Sequence, residues 1–338
     1  MLSDRGKYPT FSSDSTNNGI VGYSNLSPSF LCDQDCPIFV IFGDHTRTFN
    51  IAQTSFNVMD NVKVLKPNKK YKLSELLFIT SSWKKGIKNL GYARHWKIAK
   101  EAKILLPTKN NQIDFDFMES FIAELEAERI AELSAYLKVS GLDNYELSVE
   151  ELKALRDYDS IDFEEFEYQE VFDKIVQGRR LKKDDQIPGD IPFVMSGVTN
   201  TGIVNFISNP VASFPRNSIT LDIFGNAFYR PYAYGAGDDT GVYWNEENEY
   251  SKEVMLYITS SMSRSVAGKY DYGNKLRSSK SKNIKMKLPA VSKGVLDTDY
   301  MRIITNAVMK LVIKDVVQYT NERIETTKEV VTSHNTNY

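Results

Sequence analysis

Short apolar runs bounded by Gly, Asn and Asp recur along the chain and predict strands. Pro37–Phe42, Leu76–Thr80, Ser218–Phe224 and Met255–Thr259 are rich in β-branched and aromatic residues over strand-like lengths. Two longer stretches switch to helical spacing. From Phe117 to Leu137 the apolar positions are Phe121, Ile122, Leu125, Leu133, Tyr136 and Leu137, with Asp116 as cap or first-turn acid and Gly141 as a stop. From Asp299 to Glu325 they are Met301, Ile304, Val308, Leu311, Val312, Val316 and Tyr319. Both stretches exceed an average globular helix, and charged residues flank their stripes. Each could cover its own domain; packing them together as an antiparallel pair buries both stripes at once. Between them, residues 139–160 form a polar, acidic linker. Its Ser148-Val149-Glu150-Glu151 is a capping box that opens a short helix to Arg156. The Thr/Ser/Asn-rich tail, 326–338, is expected to fray.

The chain repeats itself. Thr16-Asn17-Asn18-Gly19-Ile20-Val21 matches Thr199-Asn200-Thr201-Gly202-Ile203-Val204. Leu77-Phe78-Ile79-Thr80-Ser81-Ser82 matches Leu256-Tyr257-Ile258-Thr259-Ser260-Ser261. Ile104-Leu105-Leu106-Pro107 matches Met286-Lys287-Leu288-Pro289. The offset stays near about 180 residues, which implies two copies of one domain, each followed by a long helix. The copies are unequal. Copy two opens with Ile161 to Asp190, including Phe163, Phe166, Tyr168, Val171 and Phe172, before Ile191-Pro192-Phe193-Val194. Copy one opens almost directly on Tyr8-Pro9-Thr10-Phe11, so its front is missing. The expected class is mixed α/β, as two tandem domains of residues 1–115 and 161–298, with spacer helices over 116–138 and 299–325.

Composition fits two soluble domains: 338 residues, 41% hydrophobic, 25% charged. No apolar run reaches the roughly 18 residues of a membrane span, and Met1–Lys7 holds no secretory apolar core. Two cysteines, Cys32 and Cys36, exclude a disulfide framework and point to the cytoplasm; with no second ligand pair they read as plain thiols rather than a zinc site. His45 sits in a polar Asp-His-Thr-Arg segment that reads as a surface loop. Enzyme signatures are missing. There is no GxxxxGK[ST], Gly235-Ala236-Gly237 does not open a helix, Asn209-Pro210-Val211-Ala212 stops short of an amino-methyltransferase element, and Asp238-Asp239 lacks a companion for a magnesium site. No catalytic residue, metal or cofactor is expected.

The net charge of -2 hides an uneven distribution. Residues 83–103 hold seven Lys/Arg and one acid: Lys84, Lys85, Lys88, Arg94, Lys97, Lys100 and Lys103 against Glu101, with His95 among them. Residues 264–287 hold eight and one acid: Arg264, Lys269, Lys275, Arg277, Lys280, Lys282, Lys285 and Lys287 against Asp271, with Tyr270, Tyr272 and Asn274 interleaved. One basic run is usually a solvated face. Two at equivalent places of a duplicated domain suit phosphate contacts, with Asn, Tyr and Arg facing base edges. Thr16, Asn17 and Asn18 correspond to Thr199, Asn200 and Thr201, and as polar loops they could face bases or simply turn the chain. Arg47 and Arg230 add basic candidates, as do Arg179, Arg180, Lys182 and Lys183 in copy two alone.

Gly178-Arg179-Arg180-Leu181-Lys182-Lys183, Gly189-Asp190-Ile191-Pro192-Phe193-Val194, Asn200-Thr201-Gly202-Ile203, Ile258-Thr259-Ser260 and Ile284 through Pro289 with its closing helix resemble the target recognition domain of type I restriction-modification specificity subunits. Those of type IIB systems are close relatives. The resemblance implies two target recognition domains that each read half of a bipartite double-stranded DNA site. Their spacer helices would pair as an antiparallel coiled coil that docks methyltransferase subunits and, through them, a restriction subunit. On this chain Phe121, Leu125, Leu133, Ile304, Val308 and Leu311 would supply that dock. S-adenosylmethionine would bind the partners. A protein-interaction scaffold, or a degenerate fragment that reads no DNA of its own, is the alternative.

Overall fold

The computed structural model describes residues 2–335, with side chains through 326. The chain divides into two compact units, Met1–Tyr136 with Thr320–Tyr338, and Leu137–Tyr319.

In the first unit, β1 (Tyr8–Phe11), β2 (Ile20–Ser24), β3 (Phe39–Gly43), β4 (Thr48–Ala52), β5 (Asn57–Val58) and β6 (Val62–Leu65) precede α1 (Leu73–Gly86) and the one-turn α2 (Trp96–Ala99). A small hairpin, β7 (Thr108–Lys109) and β8 (Gln112–Ile113), leads into α3 (Phe115–Val139). Two three-stranded sheets form, ordered β2-β1-β5 and β4-β3-β6, with β1 and β5 parallel. Aromatic rings fill the space they enclose: Phe56 stacks on Phe30 at 5.1 Å and meets Phe11 and Phe39 edge-on. Cys36 is buried in this cluster and Cys32 packs against it, so both thiols serve as small apolar groups.

The second unit opens with α4 (Val149–Arg156). Its capping box forms as expected, with the Ser148 hydroxyl accepting the Glu151 N–H and Glu151 accepting the Ser148 N–H. Then come β9 (Phe163–Glu167), the one-turn α5 (Tyr168–Val171), β10 (Lys174–Gln177), β11 (Pro188–Val194), β12 (Ile203–Ile207), β13 (Ser213–Phe214), β14 (Ser218–Asp222), β15 (Ala227–Arg230), β16 (Tyr234–Ala236) and β17 (Thr240–Trp244). After them follow α6 (Lys252–Val266), α7 (Ser278–Ser281), β18 (Lys285–Ser292), β19 (Val295–Leu296) and α8 (Thr298–Asn335). The sheets are β12-β11-β16-β13, β10-β17-β14-β15 and β19-β18-β9.

The pairing rules repeat. β1 and β11 each pair antiparallel with the next strand and parallel with a later one, β5 or β16; β3 and β14 each sit between β4 and β6 or β15 and β17. β9, α5 and β10 have no counterpart among the described residues of the first unit. That segment of the second unit is two strands around a single helical turn.

The readings of Leu76–Thr80 and Met255–Thr259 as strands are corrected, because both lie inside helices, α1 and α6. In α6 the buried positions Val254, Met255, Ile258, Met262 and Val266 recur at helical spacing, and the Ser251 hydroxyl caps the first turn. A face longer than the β-rich run overrides that run's local preference. The two long helices form where expected. The backbone of α8, however, continues to Asn335, past the end expected at Glu325; residues 336–338 of the expected tail lie outside the described residues.

Candidate nucleic-acid interface

In the second unit the basic loops converge through contacts between backbone and side chains. Gly178 N–H donates to the Thr240 carbonyl and Arg179 N–H to that of Ala236, which places the Arg179–Lys183 loop beside the β16–β17 turn. The Arg277 guanidinium and the Gln177 amide both donate to the Asp238 carbonyl, and Ser278 N–H donates to Gln177. Leu276 N–H reaches the Ile223 carbonyl, so the 269–277 loop lies against the β14–β15 turn. Two carboxylates fasten the polar loop: Asp239 accepts from the Ser196 N–H and hydroxyl at 3.0 and 2.8 Å, and Asp222 accepts from Gly197 N–H at 2.9 Å. Thr199, Asn200 and Thr201 are left exposed at its tip.

That tip is a tight turn. Thr201 N–H donates to the Val198 carbonyl, Met195 N–H to Gly202, and Asn200, Thr201 and Gly202 all take left-handed φ of 48°, 53° and 83°. Glycine and asparagine accept this; a β-branched threonine is strained by about 1–3 kcal/mol. Arg230 holds it. Its guanidinium donates to the Thr201 carbonyl and hydroxyl and to the Thr220 hydroxyl, and lies over the Phe228 ring. Arg230 is 1% exposed, so its assignment to the DNA-facing set is corrected: it positions the turn from below.

The first unit builds the same arrangement. Gly19 N–H closes the Thr16–Asn18 turn on the Thr16 carbonyl, Ser12 N–H donates to Gly19, and Asn17 and Asn18 are left-handed with φ of 45° and 51°. Thr16 and Ser15 hydrogen bonds hold the Asp14 carboxyl below its ordinary pKa at the head of this turn. His45 N–H donates to the Ser13 hydroxyl, and the Arg47 guanidinium to the Ile87 carbonyl. The Asp44 carboxylate accepts from both His95 and Trp96 N–H at 2.8 and 2.6 Å. The His95 ring is wholly buried, bonded to the Asp44 carbonyl and accepting the Leu90 N–H. His95 answers to buried Leu276 of copy two, each donating its N–H to the β-turn before it; its place in the DNA-facing set is likewise corrected.

The remaining candidate cations stay at the surface. Lys84, Lys85, Lys88, Arg94, Lys97, Arg179, Arg180, Lys182, Lys183, Arg264, Lys269, Lys275 and Lys280 are exposed, and Arg47 and Arg277 half-buried. Among the described residues none of them forms an ion pair. Their charge is left to the solvent, or to phosphate.

The sequence reading named Tyr272 as a DNA-facing candidate but neither its counterpart Tyr92 nor the ring that supports each. Tyr92 and Tyr272 are 87% and 82% exposed, yet each lies on a ring of the facing turn. Tyr92 stacks on His45 with centroids 4.8 Å apart, and Tyr272 packs edge-on against Phe224 at 4.9 Å. His45 and Phe224 hold equivalent places in the duplicated turns. Each copy thus props one tyrosine upright beside its basic loop. The repeat offset was the signal that could have found the pairs, had it been applied to unlike residues.

The dock proposed on the helices divides. Phe121, Leu125, Val308 and Leu311 are exposed and Leu133 is half-buried, whereas Ile304 is buried against Ala154 and Tyr300. Ile304 is therefore a core residue of the second unit, not a free docking residue. No cluster of three or more metal-ligating side chains occurs among the described residues, and none of their helices is long and apolar enough to cross a membrane.

Duplicated α/β units that each present ion-pair-free basic loops and a polar turn define a nucleic-acid-reading class of protein. Residues 2–135 and 160–319 match the family described as type I restriction modification DNA specificity domain, and the chain belongs to that family. Over 298 residues it is 26% identical to the specificity subunit S.BcgI of the type II restriction enzyme BgcI from Heyndrickxia coagulans, covering 87% of this chain and 83% of that protein. Its fold is similar to that of the type I restriction-modification S subunit from M. genitalium, with a TM-score of 0.51 at 12% identity, over 98% of this chain and 88% of that one. The chain is thus a restriction-modification specificity subunit in kind, with two target recognition domains of mixed α/β fold and DNA target recognition as its coarse function.

Proposed function

We propose that the chain reads a bipartite duplex, one half-site per copy, and carries methyltransferase subunits, and through them a restriction subunit, in the cytoplasm. Target recognition domains 1–115 and 161–298 contact DNA, and the helices over 116–138 and 299–325 pair as an antiparallel coiled coil that sets the gap. The ion pair between Arg323 of α8 and Glu126 of α3 supports the pairing. Phe121, Leu125, Leu133, Val308 and Leu311 form the dock. The chain itself performs no catalysis and holds no cofactor.

One observation carries the reading: the same basic loop, polar turn and propped tyrosine occur twice, at equivalent points of a duplicated fold. Cations such as Lys84, Lys85 and Lys88 would release counterions from the backbone, while Thr16, Asn17, Asn18, Thr199, Asn200 and Asn274 would face base edges. Selection from a random-sequence DNA pool, with a methyltransferase partner present, should return two short motifs at a fixed spacing; recovery of no motif refutes the reading. Replacing Lys84, Lys85 and Lys88 with Ala should lower the slope of log affinity on log salt by about 0.9 per lost phosphate contact, leaving sequence preference intact.

A further inference from the structure

The two copies differ in what covers the outer strand. In the second unit β17 is paired on both sides, by β14 and by β10; in the first, β6 is paired by β3 alone among the described residues. A second edge differs in the same way. β18 pairs along its length with β9, Met286 opposite Phe166 and Leu288 opposite Glu164. The matching stretch of copy one, residues 102–107, is in no strand. Its side chains show the loss: Met286 and Leu288 are 1% and 0% exposed, while Ile104 and Leu106 are only half-buried and the intervening Leu105 is 93% exposed.

The helix beneath tells the same story. Ile258 and Met262 of α6 share one buried core with Phe166, Tyr168, Val171 and Phe172, all four from the front segment, and the Tyr168 hydroxyl donates to the Met262 carbonyl. The equivalent residues of α1, Ile79 and Trp83, are half-buried. At the end of β6 a cleft of about 220 Å³ opens, lined by Lys66–Tyr71, Cys36–Ile38 and Leu76. In copy two the corresponding end of β17 is occupied: the Asn245 amide donates to the Val171 carbonyl and accepts the Asp173 N–H.

We infer that the free edges of β6 and of residues 102–107 are a docking site for an acidic, aromatic strand–turn–strand segment built like Phe163–Gln177. Copy two displays the occupant on the same scaffold. The segment adds one strand to each free edge and lays an aromatic turn across α1 and the cleft, which is recognition by strand addition with side-chain pockets for specificity. Charge fits the assignment. Residues 162–173 carry Asp162, Glu164, Glu165, Glu167, Glu170 and Asp173, and Lys285 pairs with Glu165 at 3.5 Å. Copy one keeps Lys103 at the place of Lys285, and Lys63, Lys66, Lys69 and Lys70 lie on and after β6. A second copy of this chain is a poorer occupant, since its own Phe163–Gln177 would have to leave a core in which Tyr168 is fully buried.

The test adds a synthetic peptide of residues 161–177 to the full-length chain and follows amide hydrogen exchange. Saturable binding that slows exchange about tenfold or more at residues 62–65 and 102–107 is expected, with no such effect from a scrambled peptide. Lys103→Glu, an exposed change that leaves folding intact, should weaken the peptide about threefold. No saturable binding, or protection confined to copy two, overturns the inference. So does a dimer of the chain alone in which residues 62–65 and 102–107 are already protected. DNA selection is a separate readout, so failure here leaves the DNA-reading proposal standing.

Discussion

Arg230 offers the sharpest check on how the reading surface is held. Arg230→Met keeps most of the aliphatic volume and removes the guanidinium. Four hydrogen bonds from a charged donor are lost, to the Thr201 carbonyl, the Thr201 hydroxyl, the Thr220 hydroxyl and, weakly at 3.4 Å, the Tyr232 hydroxyl, each of the first three worth at most about 1.5–3 kcal/mol. Two terms run the other way. A guanidinium held from water, with no ion pair among the described residues, costs several kcal/mol, which methionine does not incur. Thr201, once untied, leaves its left-handed φ of 53° and recovers about 1–3 kcal/mol. These nearly cancel, so the free energy of unfolding the second unit should fall by only about 1–2 kcal/mol. The turn itself loses its anchor. Exchange of the Thr201 and Met195 amides, bonded to the Val198 and Gly202 carbonyls, should quicken about tenfold or more, and DNA affinity should drop. Arg230→Lys should fall between, because an ammonium cannot span both threonines as a fork. Denaturant midpoints and residue-resolved exchange decide the matter. A loss above about 4 kcal/mol with unchanged exchange in the turn would refute the reasoning, because Arg230 would then be a pillar of the whole unit.

Tyr92→Ala and Tyr272→Ala should each change stability by under about 0.5 kcal/mol, the rings being mostly exposed, yet each should weaken binding to one half-site; equal affinity on both half-sites would remove the tyrosines from the interface. Lys310→Met breaks the 2.9 Å pair with Glu151 and the bond to the Glu146 carbonyl, and should cost about 1–3 kcal/mol in chemical unfolding, since the pair is mostly shielded from solvent. Burial pushes the Tyr168 hydroxyl up to about 12 from an ordinary 10.0. The unfolded chain therefore gives up this proton first as pH rises, so stability is unaffected below about pH 10 and falls between about 10 and 12. Tyr168→Phe should flatten that alkaline fall by up to about 1.4 kcal/mol per pH unit, and identical slopes in the two proteins would contradict the burial argument.

The duplication was legible because whole peptides recur at one offset, and α3, α4 and α8 because period and capping box are local signals. α1 and α6 were misread because Leu-Phe-Ile-Thr is β-rich over a short window, while the residues that complete the helical face, Val254 and Val266 among them, lie outside it. Burial decided the rest. Nothing in the sequence around Arg230 separates a guanidinium beneath a turn from one on the surface. His95 was betrayed only by its partner Leu276, which shares the place without sharing the chemistry. Tyr92, and the rings beneath both Tyr92 and the expected Tyr272, escaped for the same reason: His45 and Phe224 are unlike residues, and the contact of His45 with Tyr92 closes over a long stretch of chain.

Asp222 and Asp239 grip the turn before its tip by backbone amides, at Gly197 and Ser196. A grip on the main chain is indifferent to which side chains the tip displays. Thr199 can therefore be exchanged across generations without loosening the scaffold, whereas Asn200, at a left-handed φ of 48°, is held to residues that accept that backbone. Thr201 is tied further, since its hydroxyl accepts from Arg230. Any descendant that alters it must reset the arginine as well, and the two positions should change together or not at all.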